Sequence, residues 1–310
     1  ANGDGAPDNY FLVQNPLKLR ESLKRAFDNI FKTNSSASNV IANSSSITTN
    51  SRVFQARFDA NYWSGDLVAY PVTSSGVSPS TEWEASARMP VPASRRLFIR
   101  TVGGTATAIT TEFLWNNLPT ADKAHLDADP STTGDNSNDI VDYLRGVRTK
   151  ELQNGGTFRE RPSHVLGDIV HSSPFYEKDS DTIYVSGNDG MLHAFKGSDG
   201  GVAGTAGTEL FGFIPSEVIP SLKDLASPGY VHKYFVDGDV TVSPKTTATG
   251  SKNLLFAALG RGGKGLFSLD VTNPAAFDAS KFLWEYTPAG RTDAATDNDL
   301  GLMLGRPVFA

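Results

Sequence analysis

The sequence predicts an all-β fold, a β-propeller that is incomplete in this chain, with a few helices inserted into it or preceding it. Apolar strands repeatedly pair through Gly-bearing turns, and each pair is followed by a further apolar or Trp-bearing segment. The 29 Gly and 17 Pro residues suit many short strands joined by tight turns. Strand, turn, strand and a Trp-bearing third segment together are typical of a propeller blade.

Three strand pairs are clear. They lie at residues 53–58 with 63–70, 182–187 with 191–195, and 254–260 with 266–270. Gly65, Gly190 and Gly265 are expected at equivalent places in the three pairs. The segments that follow are Trp83, residues 210–214 and residues 283–286. A weaker pair at 95–113 is a candidate for a further blade.

Helices are predicted before and between the strands. Residues 16–31 place Leu and other apolar side chains three or four positions apart after Pro16, which suits the first position of a helix. Shorter helical pieces are predicted at 140–144 and 216–226. The Ser, Thr and Asn-rich residues 33–51 fit either a linker or a solvated strand.

We therefore divide the chain into two regions. Residues 1–51 form an N-terminal acidic turn, a helix and a polar segment that lead into the propeller. Residues 52–310 form the partial propeller, with an insertion at about 116–165. An Asp/Asn/Gly turn at one end and a strand just beginning at the other suggest a piece of a longer protein.

Composition excludes several classes of function. A net charge of −6 without a dense Lys/Arg run argues against nucleic acid as a partner, because phosphate binding needs a basic face. The absence of Cys excludes disulfides, Cys-ligated zinc, iron–sulfur clusters and a Cys nucleophile. No apolar run approaches the ~20 residues of a membrane helix, so no transmembrane segment is expected.

An ordered set of motifs resembles the PilC/PilY family of type IV pilus proteins. The motifs are Gly-Asp-Ile-Val-His-Ser-Ser-Pro at 167–174, Asn-Asp-Gly-Met-Leu-His-Ala-Phe at 188–195, Phe-Ile-Pro-Ser at 213–216, Tyr-Val-His-Lys-Tyr-Phe-Val-Asp-Gly at 230–238, Leu-Gly-Arg-Gly-Gly-Lys-Gly at 259–265, Asp-Val-Thr-Asn-Pro at 270–274, Trp-Glu at 284–285, Asp-Leu-Gly at 299–301 and Gly-Arg-Pro at 305–307. His171 departs from the pattern, because Asn is expected there.

The resemblance implies a non-enzymatic protein of type IV pilus assembly and of the pilus tip, which supports pilus biogenesis and surface adhesion through a propeller binding platform. It implies a location outside the bacterial cell, at the pilus tip or on the cell surface in association with the outer membrane. The implied partners are minor pilins or other pilus components, and host or surface ligands. Family members also bind calcium through an Asp-rich loop, and no organic cofactor is implied.

Two acidic stretches are candidate calcium sites. Asn2, Asp4 and Asp8 provide hard oxygen ligands with a Gly at the sharp turn, as calcium loops do. The first ligand of that loop would precede residue 1, so a polar turn that enters the helix is the alternative. Asp297 and Asp299 belong to a second acidic cluster, for which a solvated loop is the alternative.

Other apparent sites have structural explanations. The Gly-rich segment at 260–265 is followed by a strand pattern, which favours a hairpin over a phosphate loop. His193 lies between apolar neighbours and is predicted to have a packed or hydrogen-bonded role in the core. His171 and Ser172 are adjacent in an extended segment, so their side chains diverge and cannot form a catalytic pair.

Two other functions remain open. The blades also resemble those of quinoprotein dehydrogenases, which use calcium and a quinone, and Asp237 or Asp239 is the nominal base in that alternative. A purely structural secretion scaffold is the second. It shares the fold with an adhesin and differs only in its partner.

Overall fold

Three β-sheets form the fold, with short helices between them. The structure is a computed structural model that describes residues 37–42, 51–73, 75–102, 108–127, 138–288 and 299–309. The helices of these ranges are α1 (Thr120–Leu126), α2 (Asp139–Arg145) and α3 (Ile219–Leu222), apart from single 3₁₀ turns. None of the described helices has the length and apolar character that crossing a membrane requires.

The first sheet contains five strands. They are β1 (Ala37–Ala42), β2 (Arg52–Asp59), β3 (Ser64–Thr73), β4 (Gly76–Val77) and β5 (Trp83–Glu84). The order is β1-β2-β3-β4, and β5 pairs with a separate stretch of β3. The turn between β2 and β3 has Trp63 at φ 50, and Gly65 lies inside β3 opposite Phe58. The expectation that Gly65 corresponds to Gly190, a turn residue at φ 89, is therefore wrong.

The second sheet contains six strands. They are β6 (Leu97–Arg100), β7 (Thr110–Glu112), β8 (Phe175–Glu177), β9 (Thr182–Gly187), β10 (Met191–Lys196) and β11 (Glu209–Ile214). The order is β7-β6-β11-β10-β9-β8, and β6 is parallel to β11. The pair predicted at 95–113 is thus not a further blade. It extends the second sheet, because that edge buries Leu97, Phe98 and Ile99.

The third sheet contains four antiparallel strands in sequence order. They are β12 (Val240–Val242), β13 (Leu254–Ala258), β14 (Leu266–Asp270) and β15 (Phe282–Tyr286). The Gly-rich segment connects β13 to β14 through one 3₁₀ turn, Gly260–Gly262. The hairpin interpretation of this segment is confirmed, since a strand rather than a helix follows it.

The three sheets are the blades of a β-propeller, and the predicted fold class is confirmed. Each blade continues from a hairpin into a third paired segment, as the Trp83, 210–214 and 283–286 segments predicted. The first strands of the blades, β1, β8 and β12, lie next to one another. Strand β1 falls within the polar segment 33–51, so the strand alternative is correct for residues 37–42.

Aromatic side chains fill the space between blades. Between the first and second blades, Phe54 and Trp83 pack with Ile183 and Phe195, all at most 2% exposed. The Trp83 indole donates to the Gly197 carbonyl at 3.2 Å. Each such buried side chain contributes roughly 1.5–3 kcal/mol to folding.

A larger apolar cluster joins the second and third blades to the helices. Phe213 lies 5.1 Å from Phe267, and Phe211 stacks on Phe277 at 3.8 Å between ring centroids. The helices predicted at 140–144 and 216–226 are confirmed as α2 and α3, the latter with Pro220 in its first turn. The helix predicted at 16–31 lies outside the described residues. The division at residue 51 and the insertion at about 116–165 remain predictions.

Candidate functional site

One face of the propeller gathers the hairpin turns and the connections between blades. Consecutive strands run in opposite directions, so the turns 60–63, 188–190 and 259–265 lie on the same face as the segments that enter β8 and β12. We call this the connection face. Segment 166–174 enters β8 and segment 230–239 enters β12.

Glycines let the backbones of neighbouring blades touch on the connection face. The Gly65 amide donates to the Leu166 carbonyl at 2.9 Å, which joins the first blade to the segment that enters the second. A Cβ on Gly65 would lie 2.0 Å from the Gly167 oxygen, and one on Gly167 would lie 2.2 Å from the Asp189 nitrogen. Any larger residue at either position would force these backbones apart.

Asn188 links the second blade to both connecting segments. Its amide nitrogen donates to Asp168 at 2.7 Å, and its amide oxygen accepts from the Phe235 backbone nitrogen at 3.0 Å. The same Asp168 oxygen pairs with His232 Nε2 at 2.8 Å. Asp168 and Asn188 are 1% exposed, so these bonds form where water competes little.

A second carboxylate and histidine pair lies beside the first. Asp237 pairs with His171 Nδ1 at 2.7 Å and accepts from the His171 backbone nitrogen at 3.3 Å. Burial raises the pKa of the Asp237 carboxyl, and the contacts with His171 only partly offset this. Asp239 accepts from the Ser173 nitrogen at 2.7 Å and lies 3.5 Å from Arg306.

Aromatic rings pack against these histidines. Trp63 stacks on His232 at 3.7 Å, while Tyr234 meets His232 edge-on at 4.9 Å and His171 at 5.2 Å. Tyr230 lies 6.4 Å from His232. We call these five residues, Trp63, His171, Tyr230, His232 and Tyr234, the histidine collar. All three blades meet at or next to it.

A buried charge network lies behind the turn of the second blade. His193 pairs with Asp189 at 3.0 Å and with Glu209 at 2.8 Å, and Arg95 binds Glu209 through two nitrogens. Burial alone would lower the pKa of His193, but the charge of Asp189 and the two hydrogen bonds raise it to about 9. Burial would also raise the pKa of Glu209, yet Arg95 and His193 lower it to about 2.

The core role predicted for His193 is confirmed, since it is 0% exposed and bonded through both ring nitrogens. The divergence of His171 and Ser172 is also confirmed. His171 turns to Asp237, whereas the Ser172 hydroxyl accepts from the Ser186 nitrogen at 3.0 Å. This pair cannot act as nucleophile and base.

The predicted calcium ligands are mostly beyond what the structure describes. Asn2, Asp4, Asp8 and Asp297 lie outside the described residues, whereas Asp299 is in an exposed turn. Within the described ranges, no group of three or more His, Asp or Glu side chains is arranged to hold a metal ion. Calcium binding at these two stretches therefore remains a prediction.

Sequence reasoning did not identify the histidine collar. A signal was available, because Tyr230, His232 and Tyr234 alternate at a spacing of two, which places them on one side of an extended segment. Nothing in the sequence indicated that Trp63 would stack on His232. The two residues are 169 positions apart in the chain, and only the folded structure brings them together.

Comparison with known proteins shows which family this chain resembles. Residues 161–310 match the family model described as the PilY1 beta-propeller domain. They supply strands β8 to β11 of the second blade, the whole third blade and four of the five collar residues. Residues 161–310 belong to the PilY1 β-propeller family. The resemblance to the PilC/PilY family inferred from the motifs is confirmed.

Similarity to individual proteins extends beyond residues 161–310 to almost the whole chain. The chain is 30% identical over 98% of its length to a type IV pilus biogenesis factor PilY1 homolog of Xylella fastidiosa, and 32% identical over 97% to type IV pilus biogenesis factor PilY1 of Pseudomonas aeruginosa. It spans 24% and 28% of these two proteins, about a quarter of their length. The crystal structure of the P. aeruginosa PilY1 C-terminal domain is 34% identical, with a TM-score of 0.24, over 39% of this chain and 21% of that one.

Proposed function

We propose that this chain is a non-enzymatic part of a type IV pilus biogenesis factor, and that its propeller is a platform that binds pilus components. The observation that carries the proposal is the relationship, over 97–98% of the chain, to proteins named type IV pilus biogenesis factors. A rigid propeller whose connections gather on one face provides a suitable surface for such partners. The proposed location is the pilus or the bacterial cell surface.

Deletion in the native bacterium tests this role. The segment that encodes residues 161–310 is removed from the full-length gene, and surface pili are measured by shearing and immunoblotting of the major pilin. We expect pili to be lost and to return when the full-length gene is restored. A strain that lacks the retraction motor serves as a matched background, where pili are expected to recover in part. Unchanged pili in the deletion strain would contradict the proposal.

The non-enzymatic part of the proposal is supported by how the carboxylates of the connection face are used. Asp168, Asp189 and Asp237 each bind groups from another segment, and these bonds hold blades together. A general base must lie within hydrogen-bond reach of the proton that it removes, and the Asp237 side chain is only 1% exposed. The alternative, a quinone-dependent dehydrogenase with Asp237 or Asp239 as base, is tested by adding the quinone and calcium and measuring dye-linked alcohol oxidation. Turnover would overturn the non-enzymatic proposal.

Adhesion and scaffolding differ in their partners. We propose minor pilins as the first partners and host or abiotic surfaces as further ones, since both need exposed loops on a rigid fold. Pull-down of purified full-length protein with minor pilins is compared with its binding to host cells and matrix. Binding to minor pilins alone would leave a scaffold and remove the adhesin.

Calcium binding remains our proposal for the two acidic stretches. The oxygen-rich donor sets at Asn2, Asp4 and Asp8, and at Asp297 and Asp299, support it. Isothermal calorimetry with calcium tests the whole chain, and the D4N/D8N and D297N/D299N double variants assign any heat to one stretch. An absence of heat at millimolar calcium would remove both sites.

A further inference from the structure

The outer side of the histidine collar carries positive charge, although the chain as a whole is acidic. Arg159 lies over Tyr230 at 4.3 Å and Arg261 over Tyr234 at 5.8 Å, measured to the ring centroids. Neither guanidinium has a carboxylate partner within the part of the chain that the structure describes. The neighbouring Lys233 is neutralised by Asp224 at 2.5 Å.

The carboxylates that pair with the collar histidines are buried. The side chains of Asp168 and Asp237 are 2% and 1% exposed, and they pair with His232 and His171. Buried carboxylates that are already hydrogen-bonded are not available to an incoming group. The surface that a partner meets is therefore made of aromatic rings, histidine edges and two arginines.

One of the arginines has an unfilled hydrogen-bonding position. The Arg159 Nη1 atom is buried and has no acceptor among the described residues. Arg159 borders a crevice of about 10 Å³ that is also lined by Trp63, His164, Gly167 and Asn188, among others. A space of that size admits one water-sized polar group, such as a carboxylate oxygen. Buried donors without a partner are rare in folded proteins and need an explanation.

Two exposed apolar side chains lie next to collar residues in the chain. Val231 is 77% exposed and Tyr62 is 41% exposed, each next to a collar residue in the chain. Tyr, Trp and Arg are the residues enriched where protein interfaces obtain most of their binding energy. Hydrogen bonds from the buried carboxylates already fix the histidine rings, so little side-chain freedom would be lost on docking.

We propose that the histidine collar, flanked by Arg159 and Arg261, is the docking surface for an acidic segment of a partner protein. Carboxylates of that segment pair with the two guanidinium groups, and its apolar side chains pack on Tyr62 and Trp63. The proposal rests on the proposed function of the propeller as a binding platform and specifies the chemistry of its partner. Charge complementarity selects an acidic segment over a basic one.

Photo-crosslinking in the piliated bacterium tests the proposal with the full-length protein. A photoreactive amino acid replaces Val231, whose exposure allows the change without loss of packing. The expected product joins Val231 to a protein segment with more Asp and Glu than Lys and Arg. The Arg261→Glu variant is expected to lower the yield by about tenfold at low salt, because it turns attraction into repulsion.

The controls separate charge at the collar from charge elsewhere. Lys178→Glu makes the same change on the exposed β8–β9 turn, at the opposite end of the second blade, and is expected to alter the yield by less than about twofold. Arg261→Gln removes one charge without reversing it, so an intermediate yield is expected even if Arg261→Glu folds poorly. Exchanging the partner's acidic residues for Lys should restore cross-linking to Arg261→Glu.

Several outcomes would overturn the docking proposal. They are no product, a product with a basic or uncharged segment, a product with polysaccharide or lipid only, and equal yields from wild type and Arg261→Glu. Pilus measurements in the same strains keep the two proposals apart. If deletion of residues 161–310 removes pili but Arg261→Glu leaves cross-linking unchanged, the docking proposal fails and the proposed function stands.

Discussion

Replacing His193 with Gln tests whether the buried charge network stabilises the fold. His193 bridges Asp189 and Glu209, at 3.0 and 2.8 Å, and is itself fully buried. Glutamine can keep at most part of this hydrogen bonding and carries no charge. The variant therefore leaves the buried Glu209 carboxylate and the partly exposed Asp189 carboxylate with only Arg95 to balance them.

The magnitude follows from the pKa of His193. Its value of about 9 in the folded chain, against 6.5 in the unfolded chain, corresponds to roughly 3 kcal/mol of stability. Because the folded value is the higher one, this stability is fully present below about pH 6.5 and is lost as the pH rises through about 9. Between these limits the free energy of unfolding should fall by about 1.4 kcal/mol per pH unit.

Urea unfolding at a series of pH values from about 6 to 9.5 measures this dependence. The wild type should lose stability steadily across the range. His193→Gln should be less stable at pH 6 and should keep only the smaller fall near pH 7 that Glu285 contributes. His125→Gln, on helix α1, makes the same chemical change outside the network and should keep the wild-type slope. A wild type whose stability stays constant over this range would refute the reasoning, as would the same slope in His193→Gln.

Three further perturbations test other contacts, each by urea unfolding. Gly65→Ala places a Cβ 2.0 Å from the Gly167 oxygen and should lower the free energy of unfolding by ~3 kcal/mol or more. The control Gly301→Ala, whose Cβ meets open space, should lower it by less than ~0.5 kcal/mol. Similar losses in the two variants would contradict the close backbone approach at Gly65. Burial raises the pKa of Glu285 to about 7, so the free energy of unfolding of the wild type should fall between about pH 4.5 and 7. Glu285→Gln should lack that fall. An unchanged fall in the variant would show that it does not come from Glu285. Asn188→Ala strands a buried carboxylate and a backbone donor, and should cost roughly 2–4 kcal/mol; a loss under ~1 kcal/mol would mean that Asn188 does not join the blades.

The blades were predictable because their signals are local. Strand alternation, the turn at Gly190 and the Trp-bearing third segments each depend on residues close together in the chain, and all appear in the sheets. The strands at 97–100 and 110–112 were detected too, but their partner was not. Parallel pairing of β6 with β11 joins residues more than a hundred positions apart, and no local pattern encodes that choice.

Much of the binding surface was beyond local reasoning. The alternation of Tyr230, His232 and Tyr234 was legible, and the buried role of His193 was predicted from its apolar neighbours. The stacking of Trp63 on His232 and the pairing of Asp237 with His171 could not be predicted, because each joins different segments of the connection face. The arginines are a further case, because the net charge of −6 did not indicate that Arg159 and Arg261 would lie over Tyr230 and Tyr234.

The sequence by itself determined the blade hairpins and the family, because both depend on ordered local motifs and on the alternation of side chains along strands. The tertiary structure alone decided which glycines touch, which carboxylate holds which histidine, and that the second blade has six strands. Those contacts depend on distances between segments remote in the chain, and such distances are set only when the apolar faces of the blades pack together.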